Sequence, residues 1–255
     1  MPSHAELLGM YPAATYYAFR LPPRRPGRDR LKRWLGFGPP TREPVFPGPG
    51  KVLDFGCGAG EYLLQIQSKG WACAGVEVSE PAIDVARKEG LDVRTTLSAG
   101  EGFADDTFDY VRANHALEHV IDPASVLQDM HRVLKPGGTL FIGVPTNDGM
   151  NARLFGPHWW YLGAPVHPIT FSTSGLVGLV RRIGFRVERV STNSDFGGVA
   201  GSLQILLNRT SSRLSSEGML FRAKVPLLLG QWAAKLQDVL GVGDKLELIA
   251  RKPGG

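Results

Sequence analysis

The sequence predicts an α/β fold, in which a mostly parallel β-sheet is covered by helices on both faces. Two observations predict it. Short apolar runs alternate with segments of helical periodicity from residue 51 to residue 191. The first apolar run, residues 51–55, leads into a cluster of glycines that opens a helical segment. The 255 residues are enough for one domain of this class with a sizeable core and some additions.

The predicted elements alternate along the chain, as they do in parallel sheets built from βαβ units. Apolar residues at helical spacing, bounded by polar caps and glycines, predict helices at about 60–69, 80–89, 123–134 and 173–183. Short apolar runs predict strands at about 51–55, 71–77, 91–95, 108–113, 139–144, 185–191 and 244–250.

Polar residues at the helix starts support these assignments. Ser79 and Asp122 each precede a helix that carries a proline in its first turn, and both side chains are typical N-caps. Ser172 or Thr173 caps the fourth helix. Residues 135–138, Lys-Pro-Gly-Gly, are expected to stop the third helix before the fifth strand begins.

Residues 1–50 are predicted to form an N-terminal aromatic and basic arm and lid, separate from the domain of residues 51–255. The arm holds Tyr16, Tyr17 and a stretch, residues 20–33, with seven Lys or Arg against one Asp. That stretch accounts for the whole net charge of +5, so the rest of the chain is close to neutral. No nucleic-acid partner is therefore expected. The stretch is either a solvated connector or a contact for an acidic lipid surface or substrate.

About 50 residues separate the last two predicted strands, which is long for a simple connection. Residues 195–241 are therefore predicted to be a helical insertion. Apolar residues recur there at helical spacing, and a core-facing position is favoured for them, with a dimer contact or a membrane-facing surface as the alternatives. The chain is accordingly expected to be a monomer or a homodimer. The stripe comprises Leu227, Leu228, Trp232, Ala233, Leu236, Val239 and Leu240.

Cysteine usage and hydropathy indicate a compartment. Cys57 lies in the glycine cluster and Cys73 in a predicted strand, so no structural disulfide is expected. No apolar run approaches the roughly 18 residues that a bilayer span requires. A cytoplasmic location is predicted, with peripheral contact to the inner face of a membrane as an open alternative.

The glycine cluster carries the clearest functional signal. Gly56, Gly58 and Gly60 alternate directly after the first strand, Asp54 precedes them, and Glu77 ends the second strand. Glycines allow a ligand to approach the backbone closely, and a strand-end carboxylate accepts ribose hydroxyls. A carboxylate beside a pyrophosphate would repel it, whereas it suits a ligand with an ammonium or sulfonium group. The pattern therefore favours S-adenosylmethionine over NAD.

Several further motifs follow in order along the chain and extend this signal. They are Val52-Leu-Asp-Phe-Gly-Cys-Gly58, Gly75-Val-Glu-Val78, Phe108-Asp-Tyr-Val111, Ala116-Leu-Glu-His-Val120 and Arg132-Val-Leu-Lys-Pro-Gly-Gly138. Together they resemble the motifs of the class I S-adenosylmethionine-dependent methyltransferases. The closest resemblance is to the small-molecule branch with the ubiquinone-pathway O-methyltransferases and enzymes of natural-product and polysaccharide clusters.

This resemblance implies a Rossmann-like seven-stranded sheet of order 3-2-1-4-5-7-6 with an antiparallel last strand. It also implies that Gly56, Gly58 and Gly60 form the wall against the methionine portion of the cofactor. Asp54 would order that turn and favour the cationic end of the ligand. Glu77 would accept the ribose hydroxyls.

The remaining cofactor contacts are likewise carried over from the resemblance. Val78 is expected to pack on one face of the adenine ring. Asn114 is expected to offer its backbone carbonyl to the methionine ammonium group. The adenine amino group has no obvious acidic partner in this sequence, so either Ser98 or a backbone group at Leu97 is expected to meet it.

Two histidines are candidates for a general base, because the ordinary pKa of histidine is close to neutral pH. His115 follows the fourth strand, and His167 lies in the loop after the fifth strand, which covers the acceptor pocket in similar enzymes. A scaffold role is favoured for His119. Glu118 and His119 are adjacent, but two ligands do not make a metal site, so no metal is predicted.

The resemblance implies a methyltransferase with a small-molecule acceptor, and O-methylation is favoured. Phe155, Trp159, Trp160 and Tyr161 suit an aromatic, sugar or lipid-linked acceptor, or are ordinary lid packing. A non-catalytic subunit that binds S-adenosylmethionine is the alternative. A nucleotide-binding oxidoreductase is disfavoured by the glycine spacing.

Overall fold

The computed structural model describes the following residues: 43–44, 46, 48–96, 98–163, 166–208 and 224–254. The expectations for the N-terminal arm, including its aromatic and basic stretches, therefore lie almost entirely outside the described residues.

One sheet forms the centre of the described chain. Its strands are β1 Lys51–Phe55, β2 Ala72–Glu77, β3 Asp92–Thr95, β4 Phe108–Asn114, β5 Leu134–Pro145, β6 Arg186–Thr192 and β7 Lys245–Arg251. Their spatial order is β3-β2-β1-β4-β5-β7-β6. Neighbouring strands are parallel except β7, which runs antiparallel to β5 and to β6. The predicted order and the antiparallel last strand are confirmed.

The described helices follow the predicted pattern, with one addition. They are α1 Glu61–Gln67, α2 Glu80–Lys88, α3 Pro123–Val133, α4 Met150–Phe155, α5 Thr173–Ile183, α6 Phe196–Asn208 and α7 Lys224–Val239. Asp122 caps α3 and Ser172 caps α5 through side-chain hydrogen bonds, whereas Ser79 occupies the N-cap of α2 without one. Helix α4 was not predicted.

The start of β5 differs from the prediction. The strand begins at Leu134, directly after α3, so residues 135–138 lie within it rather than in a separate stop. Leu134 pairs with Phe108, and the register then shifts before the next pair. The shift absorbs the Lys-Pro-Gly-Gly segment, in which Gly137 has φ 76° and donates to the Lys252 carbonyl.

Apolar side chains fill both faces of the sheet. On one face Met130 of α3 and Leu176 of α5 are fully buried. On the other, Leu63 of α1 and Ile83 of α2 are buried in an apolar cluster that includes Val52 of β1 and Tyr110 of β4. Helices on both faces leave the carboxyl ends of β1, β2 and β4 as the accessible edge of the sheet, where ligands of such folds bind.

The insertion between β6 and β7 corrects one expectation. Helices α6 and α7 pack against each other, but Trp232, Leu236, Val239 and Leu240 of the predicted stripe are exposed. The core-facing interpretation is therefore wrong for these four residues, since small and polar side chains occupy the inner face of α7. Within the described residues, no helix is long and apolar enough to cross a membrane.

Candidate active site

The glycine turn after β1 is held close to the end of β2. The amides of Gly56 and Cys57 donate to the Val76 carbonyl at 2.8 and 3.2 Å. Gly56, Gly58 and Gly60 all have positive φ, of 72°, 54° and 84°. A Cβ atom on Gly56 would lie 2.5 Å from the Cβ atom of Ala116. This position therefore requires glycine for both its backbone conformation and its space.

Replacing Gly56 by alanine should destabilise the protein more than the same change at Gly90, which serves as the matched control. Both residues have strongly positive φ, and a left-handed backbone costs an alanine roughly 1–2 kcal/mol. A Cβ atom on Gly90 meets nothing within 4 Å, whereas on Gly56 it overlaps Ala116. The overlap should add about 1–3 kcal/mol to the loss in unfolding free energy, measured by urea titration. Equal losses in the two variants would contradict this account of the turn.

Glu77 ties the turn to the end of β2. Its Oε2 atom accepts from the Gly58 amide at 2.8 Å, and Oε1 accepts from the amides of Val78 and Ser79 at 2.8 and 2.9 Å. A carboxylate oxygen has two lone pairs, so Oε2 retains capacity for one further donor. Hydrogen bonds from the backbone thus fix the half-buried carboxylate, which can still accept a hydrogen bond from a hydroxyl group.

Asp54 lies beneath the turn and is paired with an arginine that sequence reasoning missed. Arg112 of β4 is its register partner, and its guanidinium donates to Asp54 at 2.9 Å and to Glu43 at 2.9 Å. The same guanidinium stacks on the Tyr62 ring at 4.1 Å. Burial raises the pKa of Asp54 to about 6 in spite of Arg112. The negative charge of Asp54 is therefore largely balanced within the protein.

A signal for Arg112 was present in the sequence. The residue is the one cation in β4, Phe108–Asn114, and its neighbours along the strand are apolar. A charged side chain in a buried strand needs an opposite charge, because the energy of burying an isolated ion is prohibitive.

The predicted adenine contacts are only partly visible. The Ser98 hydroxyl donates to Asp129 of α3 and accepts from the Gly100 amide at 3.2 Å. Asp129 is thus a carboxylate near this end of the sheet that sequence reasoning did not single out. Leu97 lies outside the described residues. Val78 follows Glu77 at the end of β2 and is half-buried.

The end of β4 carries a strained residue. His115 has φ 54°. Among the described residues, Asp106 is the one other non-glycine residue with a positive φ. Bulky residues adopt this conformation rarely, and they do so mostly where the surroundings impose it. The preceding residue, Asn114, ends the strand beside Gly143 of β5. His115 therefore projects from the carboxyl edge of the sheet in a fixed orientation.

A buried carboxylate orients the His115 ring. Nδ1 of His115 lies 3.2 Å from Oε1 of Glu118, whose side chain is 2% exposed. Burial opposes ionisation of Glu118, but the hydrogen bond from His115 and the neighbouring histidines lower its pKa below the ordinary value. An ionised carboxylate only accepts, so Nδ1 carries the proton and Nε2 of a neutral His115 ring keeps a lone pair.

His167 is held in the same tautomer by a backbone carbonyl. Its Nδ1 atom donates to the Tyr161 carbonyl at 3.0 Å, and its ring packs edge-on against His119 at 4.7 Å. Burial lowers the pKa of His167, so the neutral ring is favoured and Nε2 holds the lone pair. His119 donates through Nδ1 to the Val166 carbonyl at 2.9 Å, in keeping with the favoured scaffold role.

The structure brings a third ligand to the Glu118 and His119 pair. Ligand atoms of Glu118, His119 and His167 all lie within 4.8 Å of one another. The second carboxylate oxygen of Glu118 is buried and has no hydrogen-bond partner among the described residues. One carboxylate and two imidazoles are a donor set that divalent transition metals accept. The expectation of no metal counted Glu118 and His119 as the candidate ligands, and His167 raises that number to three.

The aromatic segment between β5 and α5 is anchored by the insertion. The Tyr161 hydroxyl donates to Asp195 at 2.5 Å, and Lys245 pairs with the other Asp195 oxygen at 2.8 Å. The Trp160 amide donates to the Ser202 hydroxyl of α6 at 2.9 Å. Trp159 is 2% exposed and packs in the interior, whereas Trp160 and Tyr161 are half-buried.

Comparisons with known proteins agree with this geometry. A family profile described as a methyltransferase domain matches residues 22–190, which is more than half of the chain. The ubiquinone biosynthesis O-methyltransferase of Pseudomonas aeruginosa is 37% identical over 112 residues, which are 41% of this chain and 48% of that protein. The match therefore spans about half the length of this curated relative.

Solved structures show the same fold at low identity. Phosphoethanolamine N-methyltransferase 2 of Haemonchus contortus, in complex with S-adenosyl-L-methionine, has a TM-score of 0.58 at 20% identity, covering 99% of this chain and 60% of that one. The 4+2 cyclase SpnF has a TM-score of 0.59 at 20% identity, covering 89% and 81%. Identities this low show a shared fold but not a shared reaction. The reaction has to be inferred from the residues of the site.

Proposed function

Because this chain belongs to the class I S-adenosylmethionine-dependent methyltransferases, we propose that it transfers a methyl group from S-adenosylmethionine to a hydroxyl group of a small molecule. The observation that carries the proposal is the pairing of the glycine turn and Glu77 with an oriented histidine, His115, at the same edge of the sheet. The similarity to a protein named as an O-methyltransferase supports a hydroxyl acceptor.

The residues at the turn fit an adenosyl ligand. Gly56, Gly58 and Gly60 carry no side chain, so the backbone of the turn can approach the methionine portion closely. Oε2 of Glu77 can accept one further hydrogen bond, which a ribose hydroxyl would donate. Val78 would pack on the adenine ring. When bound, the cofactor supplies a methyl group on a sulfonium, which is an electrophile.

Other predicted contacts stay part of the proposal. The Asn114 carbonyl would accept from the ammonium group of the cofactor. Asp54 would order the turn through its ion pair with Arg112 rather than attract the sulfonium alone, because Arg112 balances its charge. The Ser98 hydroxyl is already bonded to Asp129, so a backbone group of residues 97–98 is the better candidate for the adenine amino group.

The chain would supply the base for the acceptor hydroxyl. Nε2 of His115 holds a lone pair because Glu118 accepts the Nδ1 proton, and the ring is 31% exposed at the edge of the sheet. A hydroxyl proton passing to Nε2 leaves an imidazolium that the adjacent carboxylate stabilises. His167, neutral and oriented by Tyr161, is the second candidate for this role.

The acceptor class is indicated by the residues around the histidines. Trp160 and Tyr161 are half-buried and offer aromatic faces. An aromatic, sugar or lipid-linked hydroxyl compound suits such a lining. We take an aromatic hydroxyl as the leading class, since the matching relative is named for ubiquinone biosynthesis.

Replacing Glu77 by alanine should weaken binding of S-adenosylhomocysteine by about 10- to 150-fold, which is the worth of roughly 1.5–3 kcal/mol for hydrogen bonds to a charged group. Isothermal calorimetry measures this directly. Glu80→Ala, an exposed carboxylate at the start of α2, is the matched control and should bind normally. Unchanged affinity in Glu77→Ala would remove the ribose assignment.

The same titration tests the class of cofactor and the reaction. The wild-type protein should bind S-adenosylmethionine and S-adenosylhomocysteine but not NAD, and it should transfer radiolabelled methyl groups to catechols. Binding without transfer to any hydroxyl acceptor would favour the non-catalytic alternative. Binding of NAD alone would refute the proposal.

A further inference from the structure

Helix α7 turns its apolar stripe outward. Leu229, Trp232, Leu236, Val239 and Leu240 recur every three or four residues, so they share one helix face. Their exposed fractions lie between 60% and 82%. Single exposed apolar residues are normal on protein surfaces, but a complete helical stripe marks a surface that another apolar phase covers.

The inner face of α7 explains this inverted arrangement. Ala234 and Gln237 are buried, and the Gln237 amide exchanges two hydrogen bonds of 3.1 Å with Asn151 of α4. Asp238 accepts from the amide and the hydroxyl of Ser194 at 2.8 Å. Small and polar residues therefore hold helix α7 against the rest of the protein. Its exposed apolar side chains take no part in this contact and are available to another partner.

Helix α6 adds to the same hairpin. It packs along α7 and exposes Leu203, Leu206 and Leu207 towards its carboxyl end. The residues that connect the two helices, 209–223, contain three arginines and one glutamate, and α7 begins with Lys224. Lys235 lies over the Trp232 ring at 5.6 Å. Cations thus accompany the exposed apolar stripe both in its connecting segment and on its helix.

We propose that the α6–α7 hairpin docks this protein on the surface of an anionic lipid bilayer. An interfacial helix combines an apolar face containing Trp and Leu with lysines and arginines that contact anionic headgroups. The 16 residues of α7 extend about 24 Å, which is shorter than the hydrocarbon core of a bilayer. The helix therefore lies in the interface and does not span it.

Charge favours a bilayer over a second copy of this chain. Residues 209–224 carry a net charge of +3 in every copy of this chain, and Lys235 adds a cation beside the stripe, so these segments favour an anionic partner over a second copy with the same charge. Anionic lipid headgroups attract the same segments. Resting on the proposed function, docking would place the Trp160 turn, which Ser202 of α6 holds, beside the membrane. A lipid-linked acceptor would then reach the site directly.

Flotation with lipid vesicles tests the proposal independently of methyl transfer. The full chain should bind vesicles that contain phosphatidylglycerol, bind pure phosphatidylcholine vesicles more weakly, and lose affinity as salt is raised. The double variant Trp232→Ser, Leu236→Ser should bind at least about tenfold more weakly, because each side chain loses apolar burial. It keeps the basic N-terminal arm, so the loss is assigned to the hairpin.

Val190→Ser is the matched control, since it removes an exposed apolar side chain from β6 on the sheet instead of the hairpin. It should bind vesicles as the wild type does. Thermal melting and S-adenosylhomocysteine binding show that each variant is folded. No binding of the wild type to anionic vesicles, or equal binding of the double variant, overturns the proposal. A dimer in light scattering that the double variant loses, without vesicle binding, would assign the surface to a second copy.

Discussion

His115→Asn should lower the turnover number by about 100- to 10,000-fold while leaving the affinity for S-adenosylhomocysteine unchanged. The loss follows from removing the lone pair that Glu118 directs to Nε2. Asparagine is the suitable replacement because His115 has φ 54°, a conformation that asparagine adopts more readily than most residues. The variant therefore removes the base without adding backbone strain. Initial rates with radiolabelled cofactor measure turnover, and calorimetry measures binding.

His131→Asn is the control for this experiment. The His131 ring packs on Phe185 at 4.8 Å, away from Glu118, so turnover should stay close to that of the wild type. Loss of cofactor binding in His115→Asn would show that the residue shapes the turn instead of accepting a proton. Normal turnover in His115→Asn, together with a large loss in His167→Asn, would transfer the role of base to His167.

The sequence predicted the backbone of the site better than its side-chain partners. The glycine turn, Glu77 and His115 follow from local patterns, because glycine conformations and strand ends are set within a few residues. The partnership of Glu118 with His167 joins two segments that are distant along the chain, and no local periodicity encodes it. The same holds for Ser98 and Asp129.

The stripe on α7 shows a different limit. Helical spacing correctly predicted that Trp232, Leu236 and Val239 share a face. Spacing cannot tell whether that face looks inward, because this depends on what the opposite face offers. Here the opposite face carries Gln237, whose hydrogen bonds to Asn151 hold the helix in place. An apolar stripe opposite small and polar residues therefore need not be core.

Arg112→Met should cost about 3–5 kcal/mol of unfolding free energy at neutral pH, since removing one partner of a buried ion pair leaves an uncompensated charge. Arg112 is the shared partner of Asp54 and Glu43, at 2.9 Å from each. Methionine retains most of the volume and the contact with Tyr62, so the loss reports the charge. Arg186→Met, at an exposed arginine on β6, is the control and should change stability little.

The loss should depend on pH in a defined direction. Burial already raises the pKa of Asp54 to about 6 with Arg112 present, and without that cation the pKa rises further. A carboxyl group whose pKa is raised on folding loses stability as the pH increases above its unfolded value. The deficit of Arg112→Met should therefore be smaller at mildly acidic pH and grow towards pH 8. Asp54→Asn in the same chain should recover part of it, and a deficit that ignores both pH and this second change would show that packing, not charge, holds Arg112 in place.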